Sequence, residues 1–222
     1  MTVIAITGTD TDVGKTVVTA AIIAALTSSG ASVTVYKPTQ TGVRADEPGD
    51  VAVVQQLTGV GGHEGVRLVA AMAPRPAAAL ESAVLPTLDE QVARISDLER
   101  SFQVVLVEGA GGLLVELTEA GETIADLARA VGAPVVVVAR SELGTLNHTA
   151  LTLEALRHRS VRPLGVVIGS WPEAPSFVEV SNRAAFEGGT VPLLGAIPAG
   201  AGGLSRDEFV TRAPEWLPGL DH

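Results

Sequence analysis

Gly8-Thr9-Asp10-Thr11-Asp12-Val13-Gly14-Lys15-Thr16 is the stretch whose reading decides the fold. It follows the apolar run Thr2-Val3-Ile4-Ala5-Ile6 and precedes a segment in which Val17, Val18, Ala21, Ile22 and Ala25 recur at the spacing of one buried helical stripe. A glycine-rich turn between a buried strand and a helix aims backbone N–H groups and the positive end of the helix dipole at one point, where an anion is stabilised. In such a loop Lys15 reaches the outer phosphates of a nucleotide and the Thr16 hydroxyl binds Mg²⁺. The spacing departs from the common form, because five residues separate Gly8 from Gly14 where four are usual. That turns the reading away from generic GTPases and motor ATPases. Two aspartates, Asp10 and Asp12, stand where anions are unwelcome, and a carboxylate beside phosphate is costly unless a cation lies between them.

Working outward, short β-rich runs alternate with helical patterns. Strands are expected at 2–7, 32–36, 103–107, 134–139, 164–168 and 193–197, several of them continuously apolar as suits strands buried on both faces of a parallel sheet. The first helix should begin near Gly14 or Lys15 and end by Gly30, and others are expected at 50–57, 124–131, 147–159, 177–187 and 205–212. Another opens at Thr87, where Glu90 three residues on completes a capping box. The stretch 59–86, rich in Gly, Pro and Ala, reads as an irregular excursion with some helix. The βαβα order predicts a doubly wound, mostly parallel α/β sheet with helices on both faces, in one domain spanning 1–222.

Composition narrows the chemistry. A 46% apolar content supports a large core, and a net charge of -10 argues against nucleic acid or anionic membrane as partner. No apolar run approaches the roughly 18 residues of a membrane span, and the opening strand pattern leaves no place for a cleavable leader, so a cytoplasmic protein is expected. Without cysteine there is no thiol nucleophile and no cysteine-ligated zinc, and the four histidines lack metal-ligand spacing. No nucleophile elbow supports acyl transfer.

Three further stretches join the phosphate loop: Tyr-Lys-Pro-Thr-Gln-Thr-Gly at 36–42, Val-Glu-Gly-Ala-Gly-Gly at 107–112 and Leu-Gly-Thr-Leu-Asn-His at 143–148. In type and order the four resemble the dethiobiotin synthetase family. The resemblance implies ATP- and Mg²⁺-dependent closure of a cyclic urea from 7,8-diaminononanoate and CO₂ or bicarbonate, yielding dethiobiotin, ADP and phosphate. One amine is carbamylated, the carbamate oxygen attacks the γ-phosphate, and the second amine closes the ring. Catalytic work then falls to Lys37, Lys15, Thr11 and Asp12, the last attracting or orienting the diamine or accepting a proton as the amine becomes a carbamate. Nucleotide contacts fall to Asp12, Val13, Gly14, Lys15, Thr16 and Val17, to Glu108, and to Gly169, Ser170, Pro198, Ala199 and Gly200 around the base. Substrate contacts fall to Thr41, Ala110, Gly111, Gly144, Thr145, Leu146 and Asn147, the last four at a homodimer interface. Thr16, Asp50 and Glu108 offer the hard oxygens that Mg²⁺ requires. Asp50 and Asn147 have a plainer reading as helix caps.

The chain departs from the family at Gly169-Ser170-Trp171-Pro172, where many members place an adenine-reading asparagine, so the choice between ATP, the leading expectation, and several nucleotides stays open. Trp171 beside Pro172 reads as packing rather than base stacking. Asp10 is read as an outward loop residue without a role. The competing class is a partitioning or metallocluster-carrier ATPase, which usually has another lysine near the start of the loop; Thr9 and Asp10 stand there instead.

Overall fold

The computed structural model describes residues 2–220. Its strands are β1 (Thr2–Gly8), β2 (Val33–Gln40), β3 (Gly62–Arg67), β4 (Val104–Gly112), β5 (Val135–Ala139), β6 (Pro163–Trp171) and β7 (Leu193–Pro198). Its helices are α1 (Lys15–Ser28), α2 (Asp50–Thr58), α3 (Pro74–Glu81), α4 (Leu88–Glu99), α5 (Ile124–Ala130), α6 (Thr145–His158), α7 (Phe177–Glu187) and α8 (Arg206–Trp216). The strands form one sheet in the order β3-β2-β4-β1-β5-β6-β7, and every adjacent pair is parallel.

The alternation of side chains along each strand divides the core in two. Ile4 and Ile6 of β1, with Val136 and Val138 of β5, join the layer of α1, α2 and α8. Val3, Ala5, Val135 and Val137 face the opposite layer, built from α4, α5 and Leu156 of α6. Both faces of the central strands are therefore dry, which is why β1, β4 and β5 carry continuous apolar runs. Among the described residues no helix is long and apolar enough to cross a membrane.

Several elements differ from their sequence expectation. The excursion 59–86 contains an edge strand, β3, whose sequence Gly-His-Glu-Gly-Val-Arg carries no apolar alternation; main-chain pairing to β2 makes it a strand. Close approach helps, since a Cβ on Gly65 would lie 2.2 Å from the Pro38 carbonyl oxygen. The same pairing carries β2 to Gln40, so Lys37 lies inside the strand rather than beyond it. Likewise β4 runs to Gly112 and includes Glu108. Helix α1 is buried almost all round, from Val18 through Ala24, because α2 and α8 cover the side facing away from the sheet. Helix α6 starts at Thr145, two residues early, so Asn147 lies within its first turn and is not its cap.

Candidate active site

The loop between β1 and α1 stands at the carboxyl edge of the central strand, where open α/β sheets bind ligands. Two residues reverse the chain in left-handed conformation, Gly14 at φ 93° and Asp12 at φ 56°. Gly14 caps α1 with no side-chain acceptor, leaving the first helical amides available to an anion. The Lys15 ammonium arches back to donate to the Asp10 carbonyl oxygen at 3.1 Å. Burial and then the nearby charge of Lys37 hold the Lys15 pKa below its ordinary value. Asp10 is exposed but not idle. Its Oδ1 accepts from the Thr11 amide at 2.7 Å, and Arg140 Nη2 lies 3.6 Å from its Oδ2 while donating to the Thr11 carbonyl at 2.8 Å.

Beside the loop lies a buried cluster of charge. Lys37 Nζ sits 2.5 Å from Asp50 Oδ2 and 2.9 Å from Glu108 Oε1, and donates to the Gly109 carbonyl at 3.0 Å. Thr16 Oγ1 is 3.0 Å from Glu108 Oε1, and Thr19 Oγ1 is 2.6 Å from Glu108 Oε2. Burial alone would lower the Lys37 pKa, but Glu108 and Asp50 outweigh it and the net displacement is upward. Burial would raise the pKa of Asp50; the Lys37 ammonium reverses that and holds it below 3.8. Two carboxylates thus converge on the Lys37 ammonium, with the Thr16 hydroxyl bonded to one of them. Oxygen donors of this kind fit Mg²⁺, and the arrangement fits a site where metal and lysine share the negative charge.

The cluster opens into a cleft of about 450 Å³ whose walls include Asp12, Thr16, Lys37, Thr41, Asp50 and Glu108. A second hollow of about 480 Å³ shares Thr11, Asp12, Thr41, Ala110 and Gly111 with it and continues between Ala71, Met72, Pro74 and Val115. A charged chamber therefore adjoins an apolar-walled one. Val13 faces inward at the loop's core, and Val17 follows at the cleft wall.

On the other side of the loop, Gly169 is pressed against it: a Cβ there would lie 1.9 Å from the Val13 carbonyl oxygen. Trp171 pairs with Pro198, and its carbonyl accepts from the Ala199 amide at 2.8 Å, so Ser170 and the Pro198–Gly200 turn are neighbours. The Trp171 ring lies under Arg183, with 5.1 Å from guanidinium to ring centre. By contrast, Gly144, Thr145, Leu146 and Asn147 do not line the cleft of their own chain. The Thr145 hydroxyl bonds the Arg140 carbonyl, and Leu146 and Asn147 are exposed.

Sequence reading passed over Thr19, Gln40 and Arg140. Thr19 had a visible signal, being the one polar interruption in the apolar run of α1. Arg140 had none, because its contacts span 129 positions.

Comparison with known proteins agrees with this architecture. A family model described as an AAA domain matches residues 2–201. The ATP-dependent dethiobiotin synthetase of Rhodococcus erythropolis is 49% identical over 96% of this chain and 95% of its own length. That of Mycobacterium avium is 50% identical over 94% and 92%. Among solved structures, the septum site-determining protein MinD of Pyrococcus horikoshii, complexed with Mg-ADP, is 19% identical and superposes with a TM-score of 0.59 over 99% of this chain and 88% of that one. At that identity the likeness concerns the fold alone. Near-half identity along almost the whole chain is of another order, and the chain belongs to the dethiobiotin synthetase family.

Proposed function

We propose that this protein forms dethiobiotin from 7,8-diaminononanoate, CO₂ or bicarbonate and ATP, releasing ADP and phosphate. The observation that carries the reading is the meeting of Lys15, Thr16, Lys37, Asp50 and Glu108 in one cleft that continues into an apolar-walled hollow. A diamine on an aliphatic chain has the same division, polar where it reacts and apolar where it extends.

In this reading the amides of Gly14 to Val17 hold the phosphate tail, with Lys15 over its outer phosphates. Thr16, Asp50 and Glu108 would hold Mg²⁺, which when bound would neutralise phosphate charge. Lys37, held at the cleft by Asp50 and Glu108, offers its ammonium to the carbamate and the transferring phosphoryl group. The carbamate oxygen attacks the γ-phosphorus, the bond to the ADP oxygen breaks, and the second amine then attacks the carbonyl carbon of the mixed anhydride and expels phosphate. No group on the protein becomes covalently bound. Asp12, facing the junction of the two chambers, orients the diamine's ammonium, while Thr11, Thr41, Ala110 and Gly111 line its path. The substrate carboxylate meets the first-turn amides of α6, Leu146 and Asn147, beside Gly144 and Thr145 of a second copy in a homodimer. Gly169, Ser170 and Pro198–Gly200 border the base through main chain, which supports tolerance of several nucleotides. Dependence on ATP supports a cytoplasmic location.

Incubation with the diamine, bicarbonate, Mg²⁺ and ATP should give dethiobiotin by mass spectrometry, with phosphate release dependent on the diamine. Steady phosphate release without it would support a nucleotide-driven switch of the partitioning type instead. Rates with ATP, GTP and CTP should lie close together, and a strong preference for ATP would refute relaxed selectivity.

A further inference from the structure

Asp50 occupies the first turn of α2, yet that helix has no capping side chain of its own, since the preceding residue is Gly49 in extended conformation. The Asp50 carboxylate is drawn off toward Lys37. Its amide is satisfied from elsewhere: Gln40, at the end of β2, presents Oε1 to the Asp50 N–H at 2.8 Å and donates from Nε2 to the Thr41 carbonyl at 3.2 Å. Gln40 is buried, and a Cβ on Gly49 would come within 2.9 Å of its Oε1. The contact is therefore closely fitted. Arg67, beside Gln40 in the sheet, holds the intervening loop through the Arg44 and Glu47 carbonyls at 2.8 and 2.7 Å.

These contacts close a ring. From Lys37 the chain runs along β2 to Gln40, across its amide to the Asp50 N–H, and through the Asp50 carboxylate back to Lys37 Nζ. A side-chain cap delegated from one element to another fixes where the helix begins relative to the strand. We propose that Gln40 is a positioning residue that registers α2 on β2 and so sets the Asp50 carboxylate at the distance from Thr16 and Glu108 at which one divalent cation is shared. The proposal rests on the reading of those three residues as the Mg²⁺ ligands. A plain helix cap would stabilise the fold without selecting a metal; a positioning residue affects metal affinity through Asp50 and through nothing else.

The test is a titration of Mn²⁺ by electron paramagnetic resonance into the full-length protein with a non-hydrolysable ATP analogue, the melting temperature of each variant being recorded alongside. Outer residues that orient a metal ligand typically contribute 10–100-fold to affinity, so Gln40→Leu should weaken Mn²⁺ binding by about tenfold. In an Asp50→Asn background Gln40→Leu should add nothing further. Wild-type affinity in Gln40→Leu, or an equal loss with and without Asp50, would overturn the positioning role while leaving the metal site standing. Failure of the wild-type protein to bind Mn²⁺ would overturn the metal reading and the proposal together.

Discussion

Lys37 is the residue on which most of the site's electrostatics turn. Its ammonium is buried between Asp50 and Glu108, and removing one partner of a buried ionic group leaves uncompensated charge. Lys37→Met should therefore abolish product formation and also destabilise the protein by about 3 kcal/mol in urea unfolding, the low end of the range because Asp50 is partly exposed and can rehydrate. The pH dependence follows from the sign of the shift. Asp50 has a folded pKa below 3.8, so its pairing stabilises the protein above that value and the stabilisation is lost as pH falls through the depressed one. The variant should lack this component of the acid limb, and an unchanged limb would count against the pairing. Asp12 allows a cleaner chemical test. It adopts φ 56°, a conformation that asparagine accepts as readily as aspartate, so Asp12→Asn should preserve the loop. It should impair use of the diamine, seen in KM and kcat, more than nucleotide binding by calorimetry; equal effects on both would remove Asp12 from amine handling.

At the scale of elements, what the sequence made legible was what local patterning encodes. Unbroken valine runs, capping boxes such as Thr87 with Glu90, and the strand, loop and helix around Lys15 all stand where their patterns put them. What it hid depends on partners distant in the chain. Strand β3 is polar and exists through pairing with β2, and that pairing in turn carries β2 on to Lys37 and Gln40. The sites on β2 and β4 were recognisable as residue types, but their residence inside strands, side by side across the sheet edge, was not. The contact of β6 with the phosphate loop is equally invisible in one dimension. Gly169 meets the Val13 carbonyl so closely that a methyl group would force the loop to shift by roughly 1 Å, and misplacement of that size costs on the order of a hundredfold in rate. Gly169→Ala should lower kcat/KM for nucleotide accordingly and also lower the melting temperature, since overpacking against main chain costs about 1–3 kcal/mol. Unaltered kcat/KM would show that the loop has slack there.

For the whole molecule, the placement of exposed apolar surface bears on how many copies act together. Leu143 is 88% and Phe177 87% exposed, and Leu146, Leu151, Val178 and Val180 add to them on α6, α7 and the turn before α6. These elements are braced against each other: Asn182 donates to the Ser141 and Glu142 carbonyls, and the Ser141 hydroxyl bonds Glu179. A rigid surface bearing large apolar side chains is the kind that a twofold-symmetric pair covers, and it adjoins the Gly144–Asn147 turn that a shared substrate site requires. Each copy also carries a net charge of -10, so association must overcome repulsion that salt screens. Sedimentation equilibrium should give about twice the 22.7 kDa chain mass, with dissociation increasing as salt is lowered. Leu143→Asp combined with Phe177→Asp should shift the mass to that of one chain. Because the phosphate loop, Lys37, Asp50 and Glu108 all come from a single chain, nucleotide should still bind the separated copies. The diamine's KM should rise steeply, since the helix start proposed to receive its carboxylate would be gone. A monomeric variant that uses the diamine as well as the wild type does would break the link between association and substrate binding.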